Sequence, residues 1–226
     1  MKQSIHRSGQ RRSTSSIFLR AKNRVTAKMP EETVVEFIRH GEPVGGSMYR
    51  GHGIDDPLTE RGWNQMWNGI GSAHDWDIIL TSPLARCADF AHRLGEDRKI
   101  PVRILEDLRE IGFGAWEGMT KEELLDKRPE EFRKFYEDPI ACPPKNAEKV
   151  EDFFRRISEC YEDFLNNYLE KKILVVAHAG VIRAALMHAI GAGPAQMYNL
   201  EIRNGMVSRV RYRNGRTGLE LINGIL

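Results

Sequence analysis

Apolar residues recur along this chain in two alternating rhythms. Residues 33–39 form a β-branched, apolar run that stops abruptly at His40-Gly41, as a buried strand entering a loop does. Thr59 then stands where it can cap a helix whose Trp63, Met66, Trp67 and Ile70 fall at helical spacing. Residues 76–80 are a second short apolar run. It leads into Thr81-Ser82-Pro83, which predicts a helix capped by Ser82, with Pro83 in its first position and Leu84, Cys87, Ala88, Ala91 and Leu94 along one face. Residues 102–105 predict a further strand, and 112–118 a glycine-rich loop. The clearest periodicity, Val150, Phe153, Phe154, Ile157, Tyr161, Phe164 and Tyr168, marks a long amphipathic helix. Residues 172–177 read as a strand delivering His178, and 179–190, apolar nearly all round, as a buried helix. A closing hairpin is predicted from 197–203 and 206–212, turning at Asn204-Gly205.

Strands alternating with helices specify an α/β fold, a three-layer α/β/α sandwich with a mainly parallel central sheet. Ligands in such folds bind beyond the carboxyl ends of the strands. His40, Ser82 and His178 each lie just past a predicted strand, so three segments converge on one edge and predict a single site. A chain of 226 residues has room for one core, expected over 31–226.

The formal charge of +2 conceals an asymmetry. The first thirty residues hold eight Lys or Arg and no Asp or Glu, leaving 26 basic against 32 acidic residues in 31–226. A mildly acidic body argues against nucleic acid as a partner, which needs clustered positive charge. No run approaches the roughly 18 to 20 apolar residues that span a bilayer, so no membrane association is expected. Residues 1–30, basic and Ser-rich without an apolar stretch, do not read as a secretory signal. They are expected to be a disordered extension, either an organelle-transit-like segment or a stretch preceding a start at Met29. Cys87, Cys142 and Cys160 are odd in number and lack CxxC spacing, which suits reduced thiols and a cytoplasmic location. His52, His74, His92 and His188 show no paired ligand spacing, so neither a metal nor another cofactor is expected.

What the strand-end residues can do follows from their chemistry. Transfer of a phosphoryl group asks for forked cations on the equatorial oxygens, an in-line nucleophile and an acid for the leaving oxygen. Arg39 and Arg86 offer the forks, which lysine would not match geometrically. A neutral imidazole is a competent nucleophile at phosphorus, and His40 is placed for it. Glu110 can protonate the ester oxygen and later take a proton from water. His178 opens the buried helix whose first amides, from Ala179 on, favour an anion. Arg50 and His52, between the first strand and the first helix, are further candidates to grip substrate. Each residue alone has an ordinary reading, a surface histidine or a solvated arginine. Only their convergence points to a small-molecule phosphate ester as the partner; the pattern names no oligomeric state.

Arg39-His40-Gly41, Ser82-Pro83-Leu84-Ala85-Arg86, Glu110 with Phe113-Gly114-Ala115-Trp116-Glu117-Gly118, and Ala177-His178-Ala179-Gly180 together resemble the histidine phosphatase superfamily, in the branch that includes phosphoglycerate mutases and small phosphatases. The tripeptide alone would occur in about one or two of every hundred chains this long; four ordered motifs are far more specific. The resemblance implies a phosphoglycerate mutase-like fold, with His40 the phosphorylated residue, Arg39, Arg86 and His178 the rest of the phosphate pocket, and Glu110 the proton donor. Within the branch, Pro57-Leu58-Thr59-Glu60-Arg61-Gly62, the Ser-Pro-Leu-x-Arg-Cys run and the Phe-Gly-x-Trp-Glu-Gly loop look most like alpha-ribazole phosphatases and related small broad-specificity phosphatases. The long insertion of the mutases is missing, which favours hydrolysis over mutase-type transfer. A catalytically silent binding protein on the same fold would be expected to lack one of the site residues. Departures are Gly46, where the family often has Asn, Glu148 as a match for an acid of a Pro-x-Gly-Glu-Ser run, and Ala179-Gly180 in place of two glycines.

Overall fold

A computed structural model describes residues 32–226. The extension expected over residues 1–30 lies outside the described residues. Along the chain run β1 (Glu32–Arg39), α1 (Glu60–Ile70), β2 (Ile78–Thr81), α2 (Ala85–Arg98), β3 (Val102–Ile104), α3 (Lys121–Lys127), α4 (Pro129–Glu137), α5 (Val150–Asn167), β4 (Lys172–Ala177), α6 (Ala179–Ala189), β5 (Val207–Arg213) and β6 (Arg216–Gly224). The six strands form one sheet in the order β3-β2-β4-β1-β5-β6. Its first four strands are parallel, and β5 and β6 run antiparallel at the far edge.

Alternation along the strands builds the three layers. Val35 and Phe37 of β1 face a core shared with Phe153, Ile157 and Tyr161 of α5 and with Val181 and Ile182 of α6. Ile38 faces the other way, against Met66 and Ile70 of α1 and Phe90, Ala91 and Leu94 of α2. The expected sandwich is thus present, with β5 and β6 making its sheet mixed. No helix among the described residues is long and apolar enough to cross a membrane.

Three local expectations are corrected. The closing hairpin is not at Asn204-Gly205: Pro194–Asn199 coils into a 3-10 turn, with Met197 buried in the core beside α6. Gly205 instead donates from its amide to the Arg39 carbonyl (3.0 Å). The hairpin turns ten residues later at Asn214-Gly215, whose φ values of 53° and 70° suit a two-residue turn of the type that matches strand twist. Helix α2 starts at Ala85 rather than at Pro83. Its first amide is capped from another loop, by Asp55 Oδ1 at 2.7 Å, while the Ser82 hydroxyl accepts from the Leu84 amide (3.3 Å) one residue earlier. Asp55 is therefore a helix cap.

Strand register sets the site. Arg39 lies opposite Ala177, and Thr81 opposite Val176. The His40 amide then bonds the Ala177 carbonyl (2.9 Å) and the Ser82 amide the Val176 carbonyl (3.1 Å). Three chains leave the sheet at one level. Thr59 caps α1 by accepting from the Gly62 amide (2.9 Å) and donates to the Glu42 carbonyl (3.0 Å). That pulls α1 so close to the His40 loop that a Cβ on Gly41 would stand 2.0 Å from the Gly62 carbonyl oxygen. Only glycine fits there.

Candidate active site

A cavity of about 660 Å³ opens at the strand ends, lined among others by Arg39, His40, Gly46, Arg50, Arg86, Glu110 and Ala179. His40 is 6% exposed. Its Nδ1 lies 2.8 Å from the Gly41 carbonyl oxygen, which can only accept. The ring proton is therefore assigned to Nδ1, and Nε2 keeps a free lone pair. Burial, then the Arg39 and Arg86 charges, hold the His40 pKa well below the ordinary 6.5. The ring is neutral at physiological pH.

Two guanidinium groups face this ring. Arg86, 1% exposed, donates from Nη1 to the Ile54 carbonyl and from Nη2 to the Gly51 carbonyl, both at 2.8 Å. Arg39 donates from Nη1 to the Ile202 carbonyl (2.7 Å). In both, the buried Nε–H has no partner among the described residues. Buried donors are nearly always satisfied, so two unpartnered Nε–H groups on arginines that line one cavity make it a candidate anion site. Burial, against which the nearby Glu110 works, lowers the Arg39 pKa to about 10, so it stays charged.

Glu110 sits where the 106–112 segment meets α6. Its Oε1 accepts from the Ile111 amide (3.0 Å) and its Oε2 from the Gly180 amide (3.2 Å). The anion-favouring start of α6 thus holds a carboxylate of the chain itself. Gly180 is needed for that approach: a Cβ there would stand 2.4 Å from Oε1. Glu148 buttresses the same segment by accepting from the Gly112 amide (3.2 Å) and binding Arg156 through both oxygens (3.0 Å each).

The structure brings the other site residues to unequal places. His178 meets His40 edge to face, ring centres 5.2 Å apart. It is fully buried, with Nε2 2.7 Å from the Ser82 hydroxyl and the Cys87 sulfur 3.7 Å from the same nitrogen. It stands behind His40 rather than on the cavity wall. Arg50 lines the cavity with its guanidinium committed to Asp56 (2.8 Å) and to the carbonyls of Gly46 (2.8 Å) and Val44 (2.5 Å). It ties the 43–56 loop together. His52 does not reach the cavity: it is exposed, over Gly112, with Nδ1 3.0 Å from the Glu110 carbonyl. Among the wall residues that the sequence reading missed are Lys121, Arg183 and Tyr198. Arg183 was within reach of it, since it lies four after Ala179 and so shares its helix face. No group of three or more His, Cys, Asp or Glu side chains that could hold a metal occurs among the described residues.

The two buried rings make stability depend on pH. Burial, then Arg86 and His40, also holds His178 well below 6.5. Unfolded, both rings take up a proton near 6.5; folded, only well below it. Between those values the unfolded chain binds more protons, so stability is complete above about pH 6.5 and declines as pH falls. A lower Tm at pH 5.5 than at pH 7.5 is expected in thermal melts; an equal or higher one contradicts it.

A neutral histidine and two buried guanidinium groups thus stand together at the strand ends of such a sandwich. In comparison with known proteins, residues 35–224 match the histidine phosphatase superfamily (branch 1), and the chain belongs to it. A bifunctional protein of Mycobacterium tuberculosis is 31% identical over 191 residues, 82% of this chain but 52% of that protein. The chain thus spans about half the length of that relative. The adenosylcobalamin/alpha-ribazole phosphatase of Escherichia coli is 30% identical, covering 82% of this chain and 93% of its own length. The crystal structure of the alpha-ribazole phosphatase from Shigella flexneri superposes with a TM-score of 0.72 at 28% identity, over 85% of this chain and 98% of that one.

Proposed function

We propose that the protein hydrolyses phosphate monoesters of small metabolites through a phosphohistidine at His40. The observation that carries the reading is the Nδ1 bond to the Gly41 carbonyl, which leaves Nε2 unprotonated beside two arginines with free Nε donors. The Nε2 lone pair attacks phosphorus, the ester P–O bond breaks, and Glu110 delivers its proton to the departing oxygen. Arg39 and Arg86 balance the charge on the equatorial oxygens. Water then attacks the phosphohistidine, Glu110 takes its proton, and the P–N bond breaks to release phosphate and neutral His40. His178 acts through His40: wedged against it and fixed by Ser82, it holds the nucleophile's ring in line. The Ala179 end of α6 closes the pocket.

The site lies wholly within residues 31–226, which we take as the catalytic domain. Three free cysteines suit a reducing, cytoplasmic setting. Alpha-ribazole 5′-phosphate enters as a candidate substrate because two of the similar proteins carry its name. Hydrolysis is favoured over transfer between positions of a phosphoglycerate, since the 119–148 segment forms only the two short helices α3 and α4. Phosphate release from a panel of esters in excess chelator tests the reading. Undiminished release is expected, whereas strict dependence on added metal, or isomerisation of phosphoglycerate in place of release, contradicts it.

A further inference from the structure

Glu110 is carried by a short segment, and two residues outside the cavity hold that segment on either side of it. Arg156, on α5, commits every nitrogen of its guanidinium. Nη1 donates to the carbonyls of Asp107 (2.5 Å) and Arg109 (3.1 Å). Nε (3.1 Å) and Nη2 (3.0 Å to each oxygen) grip the Glu148 carboxylate. Glu148 in turn holds Gly112 twice: its Oε2 accepts from the Gly112 amide (3.2 Å), and its own amide donates to the Gly112 carbonyl (2.9 Å). The chain is thus pinned at 107 and 109 before Glu110 and at 112 after it.

Leu108 and Ile111 are buried in the core and keep the segment down. Apolar packing is non-directional, however, and does not fix a carboxylate to the distance that proton transfer asks. Directed bonds do. The Arg156–Glu148 pair is itself partly open to solvent, 18% and 21% exposed, where an ion pair adds little to stability. Its worth lies in where it holds the chain.

We infer that Arg156 and Glu148 are positioning residues for the reaction, which together fix the 107–112 segment so that Glu110 meets the leaving oxygen. This rests on the reading of Glu110 as the proton donor.

Leaving-group dependence tests it, because a displaced acid slows an ester more, the more its leaving oxygen needs a proton. Phenyl phosphate and p-nitrophenyl phosphate are nearly alike in shape, but p-nitrophenolate departs without a proton far more readily. Their kcat/KM values extend only to departure of the phenol, so the later attack of water at phosphohistidine does not enter. The ratio of the two values also cancels the folded fraction of a variant, so partial unfolding cannot mimic the effect. Glu110→Gln is expected to raise the p-nitrophenyl-to-phenyl ratio at least about tenfold, since a general acid contributes about 10²-fold or more. Arg156→Lys, which keeps the charge and loses the fork, and Glu148→Gln are each expected to raise it at least about threefold, because a misplacement of about 1 Å is felt in the rate. A smaller rise in either of these two variants overturns the inference and leaves Glu110 as the acid. A smaller rise in Glu110→Gln overturns the acid reading and the inference with it.

Discussion

His40→Ala is expected to lower kcat/KM for phosphate-ester hydrolysis by at least about 10⁴-fold, the scale on which loss of a covalent nucleophile is felt. The reason is local. Nε2 is the one lone pair in the cavity held neutral by burial and two arginines, and fixed in direction by the Nδ1 bond to Gly41. His178 cannot take over, because its Nε2 faces the Ser82 hydroxyl at 2.7 Å and its ring is out of the cavity. Water attacking directly would lack the positioned nucleophile while keeping Arg39 and Arg86. A residual rate from electrostatics alone is therefore expected, not zero. Steady-state kinetics on the folded variant, with circular dichroism matched to wild type, check this; a loss under tenfold contradicts it.

Arg86→Lys is expected to cost about 10²-fold or more in kcat/KM and to destabilise the fold as well. Lysine keeps the charge and loses the fork. Arg86 uses Nη1 and Nη2 to hold the Ile54 and Gly51 carbonyls, and its Nε is buried without a partner among the described residues. One ammonium cannot do both. A lost charge-assisted contact is worth about 1.5–3 kcal/mol to binding, and a buried carbonyl left unpaired costs about 1–3 kcal/mol of stability. Kinetics with denaturant unfolding read the two effects apart. An unchanged kcat/KM would place the phosphate elsewhere.

Much of this was legible because the signals were local. The strand before His40, the strand before His178 and the apolar face of α5 each wrote its period into consecutive residues. The ends of the strands then fixed the site without any knowledge of packing. Where the reading failed, a distant partner decided. Ser82 accepts from the Leu84 amide, yet it is shared with His178, ninety-six residues on, and the first amide of α2 is capped by Asp55 from a distant loop. Of the Asn-Gly pairs near the end of the chain, Asn204-Gly205 is drawn to Arg39 across the sheet, and Asn214-Gly215 is the one flanked by strands that pair. Helix α3 did carry a local sign, the Thr120-x-x-Glu123 capping box that the structure forms. The cavity wall it helps build, from Lys121, Arg183 and Tyr198, joins three stretches with no shared periodicity.

The central claim is that phosphate passes through His40, and trapping tests it most directly. The enzyme is mixed with a ³²P-labelled ester, quenched in alkali within the first turnover, digested and mapped. The account expects label on the peptide containing His40, stable in alkali, lost in acid, and absent from His40→Ala. First-turnover phosphate release with no label on protein, or label on another residue, would contradict it.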